Sequence, residues 1–215
     1  DHARAFVLLE AADSGWFKNT SDHPAALFLL GEASRQLRLW STALGYYRRA
    51  LKVPGSPHAP EALVGAVECE LRLGDFAGAD QLVTWARGQW GEGAIPAEAT
   101  YLWGRLAARR RDAPPEKRDP AALAILAKVG RPFQQAAAYY RGAIHVQSGD
   151  LWGAAREFEA CDRVTAETPR QAHQRELCWF ALGRVYGEME NWSEAIGAYH
   201  RVPRSSPRFG DALYE

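Results

Sequence analysis

Net charge is what this sequence most plainly lacks. Its 26 basic residues are matched by 26 acidic ones, which removes the broad positive field that nucleic-acid binders use to gather phosphates. Lysine is scarce: Lys18, Lys52, Lys117 and Lys128 are the only four, and the other basic residues are Arg. Such Arg-heavy, Ala-heavy usage reads as the coding bias of a GC-rich genome rather than as phosphate recognition, so no nucleic-acid partner is expected. No apolar run approaches 18 residues, and membrane insertion by this stretch of chain is not expected. The alternation of a half-buried strand is missing too. Cysteine is limited to Cys69, Cys161 and Cys178; there is no C-x2-C pair, and His173 near Cys178 is an isolated pairing, so no metal site is expected. H-E-x-x-H, G-x-S-x-G and Gly-rich phosphate loops are likewise missing. No catalytic residue, cofactor or enzymatic activity is therefore expected.

What is present is a recurring pattern. Residues 179–199 read WFALGRVYGEMENWSEAIGAY, in which Trp179, Leu182, Gly183, Tyr186, Ala195 and Tyr199 stand at fixed intervals. A large apolar residue, Leu-Gly and then an aromatic at helical spacing put one face of a first helix against a second, and the Gly lets the backbones approach. Ala195 and Tyr199, four apart, share a face of that second helix. The pattern recurs upstream. Leu27, Leu30, Gly31 and Ser34 open one copy, continued by Trp40, Ala43, Tyr47 and Ala50. Leu63, Ala66 and Val67 open another, followed by Gly74, Asp75, Phe76, Ala79, Val83 and Ala86. A third copy has Thr100, Trp103, Gly104 and Ala107, and a fourth Ala138, Arg141, Gly142 and His145, then Leu151, Ala154, Phe158 and Cys161. The Gly positions, counting Val67, fall at 31, 67, 104, 142 and 183, spaced by 36, 37, 38 and 41 residues.

These strings resemble the tetratricopeptide repeat (TPR) family, whose unit is a helix-turn-helix of about 34 residues. The resemblance implies an all-α fold: a right-handed TPR-like superhelix of antiparallel helix pairs, an α-solenoid, made irregular by the long spacings. Residues 1–23 are expected to form an N-terminal helix or cap, with Trp16 and Phe17 closing over it. Five helix pairs follow at about 24–57, 60–93, 97–130, 135–168 and 176–209, the third carrying an insertion at 112–119 before a second helix around 120–129. Residues 210–215 begin a further repeat. The chain starts without Met and breaks off inside FGDALYE, which reads as a piece of a longer protein. At Val67 the missing Gly predicts looser packing, and at Arg141 the usual Leu contact is in question.

In this family the first helices line a concave groove, and the residues three before, one after, and four or five after the Gly position point into it. Carried over, the resemblance implies partner-binding roles for Phe28, Glu32, Arg35, Arg72, Tyr101, Arg105, Arg109, Tyr139, Gln147, Phe180 and Arg184. Rigid aromatics supply contact area and Arg supplies forked donors for carboxylates. The expected function is a protein-interaction scaffold that binds a peptide or helix of a partner within a larger assembly. One alternative is an architectural spacer or self-association module with recognition elsewhere; another is a regulatory domain that changes shape on binding a signalling peptide. TPR clamps for C-terminal carboxylates carry Asn one residue after the Gly position. Glu32 and Glu68 stand there in this chain and would repel such a tail.

The remaining candidates divide between bland and functional readings. Cys69 fits a buried small hydrophobe. Cys161 and Cys178 could face each other across a repeat junction; a bond there would imply an oxidising compartment, and the sequence leaves its presence open. His145 stands where the repeat has Tyr and reads as a packed histidine. Glu157 and Glu159 read as solvated faces. Asn19 and Asn191 head glycosylation-like triplets, but Asn191 takes the turn place of Asp75 and Asp150. The basic, Pro-containing stretch 109–120 could dock an acidic partner or act as a linker. Trp-rich helices and the FGDALYE string are similar to TPR regions of bacterial cell-envelope and motility complexes, which implies the periplasmic side of an envelope, with the cytoplasm as the alternative.

Overall fold

Strong helix formers fill the segments between Gly, Pro and Asp punctuation, so the chain breaks into short helices rather than a few long ones. The structure, a computed structural model, describes residues 2–15, 23–110 and 112–214. Among them are twelve α-helices and no strand: α1 (His2–Gly15), α2 (His23–Gln36), α3 (Trp40–Leu51), α4 (Ala59–Leu73), α5 (Phe76–Trp90), α6 (Ala97–Ala107), α7 (Pro115–Leu126), α8 (Gln134–Gln147), α9 (Leu151–Arg163), α10 (Pro169–Glu188), α11 (Trp192–Tyr199) and α12 (Phe209–Tyr214). Trp16, Phe17 and Asn19 lie outside the described residues. The helices form two compact units, Asp1–Asp112 and Ala113–Glu215.

A common register runs through both units. Seven residues after the repeat Gly position stands a residue with left-handed φ: Arg38 at 60°, Gly74 at 76°, Gly149 at 76° and Glu190 at 58°. Next comes the residue that starts the second helix, Leu39, Asp75, Asp150 or Asn191. Asp75 and Asp150 accept hydrogen bonds from the backbone N–H of Gly78 and Gly153, satisfying donors the helix start leaves open. Asn191 is thus an N-cap residue. Twelve residues past the Gly position a small apolar residue, Ala43, Ala79, Ala154 or Ala195, is buried.

Sixteen residues past the Gly position comes the residue that the absent side chain makes room for. A Cβ on Gly31 would lie 2.5 Å from the Tyr47 ring, one on Gly142 2.5 Å from Phe158, and one on Gly183 2.6 Å from Tyr199. In the second repeat both members change together: Val67 faces the register of Val83, and both are fully buried. The looser packing expected at Val67 is not seen, because a smaller partner compensates for the added side chain.

In the first unit α2 packs on α3, α3 on α4, α4 on α5, and the first helices α2, α4 and α6 also touch one another in sequence. Tyr47 is held on both faces, since a Cβ on Gly65 of α4 would also lie 2.5 Å from its ring. The α1 helix packs on α2, and its Phe6 meets Tyr46 of α3 edge-on at 6.3 Å. Glu70, almost wholly buried, pairs with Arg48 at 2.7 Å.

In the second unit α7 packs on α8, α8 on α9, and α10 on α8, α9 and α11. The α7 helix starts at Pro115 with Pro120 inside it. It lacks the Ala and aromatic of a regular second helix, having Glu116 and Pro120 at those places. The α10 helix starts at Pro169, where Thr168 and Gln171 form a reciprocal capping box. Arg141 takes the place of the usual Leu and forms a polar clamp instead: its guanidinium donates to Glu157 at 2.6 and 2.9 Å and to the carbonyl of Leu126, at the end of α7, at 3.0 Å. Cys161 of α9 and Cys178 of α10 form a disulfide. Glu157 and Glu159, read from the sequence as solvated, are engaged: Glu159 accepts from Tyr186 at 2.6 Å and from Arg163 at 3.1 Å.

Candidate functional site

In the first unit the groove candidates on α2 and α4 bind one another. Glu32 accepts hydrogen bonds from Arg35 at 2.6 Å and from the buried Tyr47 hydroxyl. Arg35 reaches on to Glu68 at 3.2 Å, and Arg72 approaches the other oxygen of Glu68 at 3.6 Å. Burial pushes the Glu32 carboxyl up, but the hydrogen bonds from Arg35 and Tyr47 outweigh it and the net shift is downward. Arg72 also lies 5.4 Å above the Trp40 ring, a cation–π distance. This acid–base ladder explains why two Glu can stand where a carboxylate-binding repeat has Asn. Their charge is spent on Arg35 and Arg72.

Aromatic candidates divide by what covers them. Phe28 stacks on His58 at 5.1 Å with the planes 2° apart and leans on Tyr47 at 6.2 Å. Tyr139 and Phe180 tilt against Phe158 and Tyr199 at 5.7 and 5.8 Å. These three are half-buried shoulders beside the ring that covers the repeat Gly. Tyr101 is half-buried with the Arg105 guanidinium 5.4 Å over its ring. Arg109 and Gln147 are exposed.

Arg184 alone of the candidates lines the groove of about 1050 Å3 formed by the end of α10, by α11 and by α12 in the second unit. Its walls carry Trp192, Ile196 and Leu213, which are 62%, 57% and 69% exposed, and its rim carries Arg204, Glu188 and Glu190. The equivalents of Ile196 in the first and fourth repeats, Leu44 and Ala155, are buried. The equivalents of Trp192 are Trp40, Phe76 and Leu151, all half-buried. Trp192 and Ile196 lie off the first-helix face that the family positions mark; their signal was a Trp and an Ile at second-helix positions.

Other polar groups have structural partners. His145 lies 2.9 Å from Asp150, the N-cap of α9. Among the described residues no cluster of three His, Cys, Asp or Glu could hold a metal ion. No described helix is long and apolar enough to cross a membrane.

The tetratricopeptide repeat family model matches residues 7–60 and, overlapping them, 28–83. No curated protein sequence gives a significant match. Similar solved structures include MamA, 16% identical with a TM-score of 0.62, covering 91% of this chain and 97% of that one. A thermophilic TPR protein in Thermus thermophilus is 19% identical with a TM-score of 0.57, covering 89% and 100%. YrrB, described as a TPR protein with an unusual peptide-binding site, is 16% identical with a TM-score of 0.59, covering 94% and 96%. Likeness at these identities is likeness of fold. Taken with the Gly–aromatic register found in both units and the match of residues 7–83 to the family model, it shows that the chain has the fold of tetratricopeptide repeat proteins.

Proposed function

We propose that the protein is an interaction scaffold that holds one helix or a helix-length peptide of a protein partner, seated in the groove between α10, α11 and α12. The observation that carries this reading is the exposure of Trp192, Ile196 and Leu213 at one place. The repeat register buries the Ile196-equivalents Leu44 and Ala155 in the first and fourth repeats, whereas Ile196 itself is open. A groove that sets Trp192, Ile196 and Leu213 among Arg184, Arg204, Glu188 and Glu190 offers both the apolar and the charged contacts that protein interfaces use. A partner segment with an apolar stripe at i, i+3/i+4 and flanking acidic and basic residues fits both parts. The name of YrrB records a peptide-binding site on the same fold, and the first-helix candidates Tyr101 and Arg105 form a second surface to test.

A spacer role remains the competing reading for the first unit alone, favoured by the mutual pairing of Glu32, Arg35, Glu68 and Arg72. Affinity capture with the intact chain, an Ile196→Asp, Trp192→Ala variant and a Tyr101→Ala, Tyr139→Ala variant separates the readings once each is shown to be folded. We expect a captured partner to be lost from the first variant and kept by the second. Loss from the second only would move the site to the first-helix faces; equal capture by all three would leave a spacer.

A further inference from the structure

The disulfide occupies a place that the repeat itself defines. Cys161 stands nineteen residues after Gly142, and Cys178 five before Gly183. The same register gives Ala50 and Ala62 at the junction of the first and second pairs, and Ala86 and Ala99 at the next. All four Ala are fully buried, as are both Cys. The Cα atoms of the Cys pair are 6.3 Å apart, within the span a disulfide bridges, and Ala138 and Tyr139 pack over it. Two small residues therefore suffice to close such a junction. Cys at both positions of one junction adds one thing that Ala lacks, the capacity to be joined.

We infer that Cys161 and Cys178 are a physiological oxidation site, joined in the cell by a disulfide-donating thiol oxidoreductase, and that the protein works in an oxidising compartment. The exchange balances as two steps. One Cys thiolate attacks the donor's disulfide and expels one donor thiolate; the second Cys thiolate attacks the mixed disulfide and expels the other. The chain gives up two electrons and two protons, and the donor leaves as a dithiol. Because both sulfurs are buried once α9 and α10 pack, the exchange takes place before that junction closes, and the finished bond is shielded from soluble thiols. Disulfides of this kind persist in secreted, periplasmic or lumenal proteins and are rare elsewhere.

Cys69 serves as an internal reference. It is a free, fully buried cysteine of α4, and burial pushes its thiol up to about 12, which makes it a poor nucleophile in the exchange.

The test is acid trapping of the full chain in the cells that make it, followed by denaturation and labelling with a maleimide of large mass. Read by mass spectrometry on the peptides that carry them, Cys69 labelled with Cys161 and Cys178 unlabelled in the absence of reductant, and all three labelled in its presence, is the expected result. Label on Cys161 and Cys178 without reductant would overturn the proposal. A Cys161→Ala, Cys178→Ala variant gives this junction the Ala pair found at the first two junctions and should fold, so it isolates the bond. Its unfolding constant should exceed that of the untreated protein by on the order of 100-fold and match that of the reduced wild type. Equality of the variant with the untreated protein would mean that no bond constrains the native chain.

Discussion

A single ring explains why two glycines of the first unit are obligatory. Tyr47 is clasped between Gly31 and Gly65, each too close to its ring to carry a Cβ. Gly31→Ala or Gly65→Ala should each cost about 1–3 kcal/mol, the range of overpacked cores, readable by urea denaturation. Gly45 sits mid-helix in α3 with open space around it, and Gly45→Ala should instead add about 0.5–1 kcal/mol by removing backbone freedom from the unfolded chain. The same measurement should show Glu190→Gly stabilising by about 0.5–1 kcal/mol, since Glu190 holds a φ of 58° that a Cβ disfavours. The Gly–aromatic pairs were legible in the sequence because their spacing is constant. The second clasp on Tyr47 was not, because Gly65 stands two residues before the repeat position and belongs to the next repeat's close approach.

Between elements, charge decides what apolar spacing does not. Arg141 ties α7, α8 and α9 together through Glu157 and the Leu126 carbonyl. Arg141→Leu restores the family's residue, yet it should cost about 2 kcal/mol by leaving a carboxylate and a helix-end carbonyl unpaired. Most of that should return in a double variant with Glu157→Leu, which a double-mutant cycle measures. Two carboxyls of the first unit should respond to acid with opposite signs. Glu32 is held below the ordinary range, so its contribution is present above that range and is lost as pH falls through the lowered value. Burial raises Glu70 despite Arg48, so its folded form takes up a proton early, and it penalises the fold as pH rises through the raised value. Denaturation curves across the carboxylate range should therefore flatten at the acid end for Glu32→Gln and gain stability toward neutral pH less steeply when Glu70 is left charged than for Glu70→Gln. Helix existence was readable from periodicity, but the start of α7 was not: Pro114 and Pro115 read as part of an insertion before a helix starting around Pro120, whereas α7 starts at Pro115, whose missing N–H costs nothing in the first turn.

Across the whole chain, stacked repeats draw stability mainly from their neighbours. Reduction of the disulfide should therefore raise hydrogen exchange first in α9 and α10 and leave α2 to α5 unchanged, a pattern that mass spectrometry of exchanged peptides resolves. The candidate site was only partly legible. Family positions led to Arg184, which lines the groove. They also led to Glu32, Arg35 and Arg72, which pair with one another and with residues of α3 and α4, and nothing in the local sequence of α2 announces that Arg35 reaches Glu68 across 33 positions. The groove at Trp192 and Ile196 is lined by a second helix, which the family's first-helix positions do not reach.

The buried Ala pairs offer a ruler. Because Ala50 and Ala62, or Ala86 and Ala99, share the register of the bonded cysteines, a Cys pair placed at either junction gives a latch that reductant opens. Latching one junction at a time while a partner is titrated would separate the hinges that must bend for capture from those that only carry load.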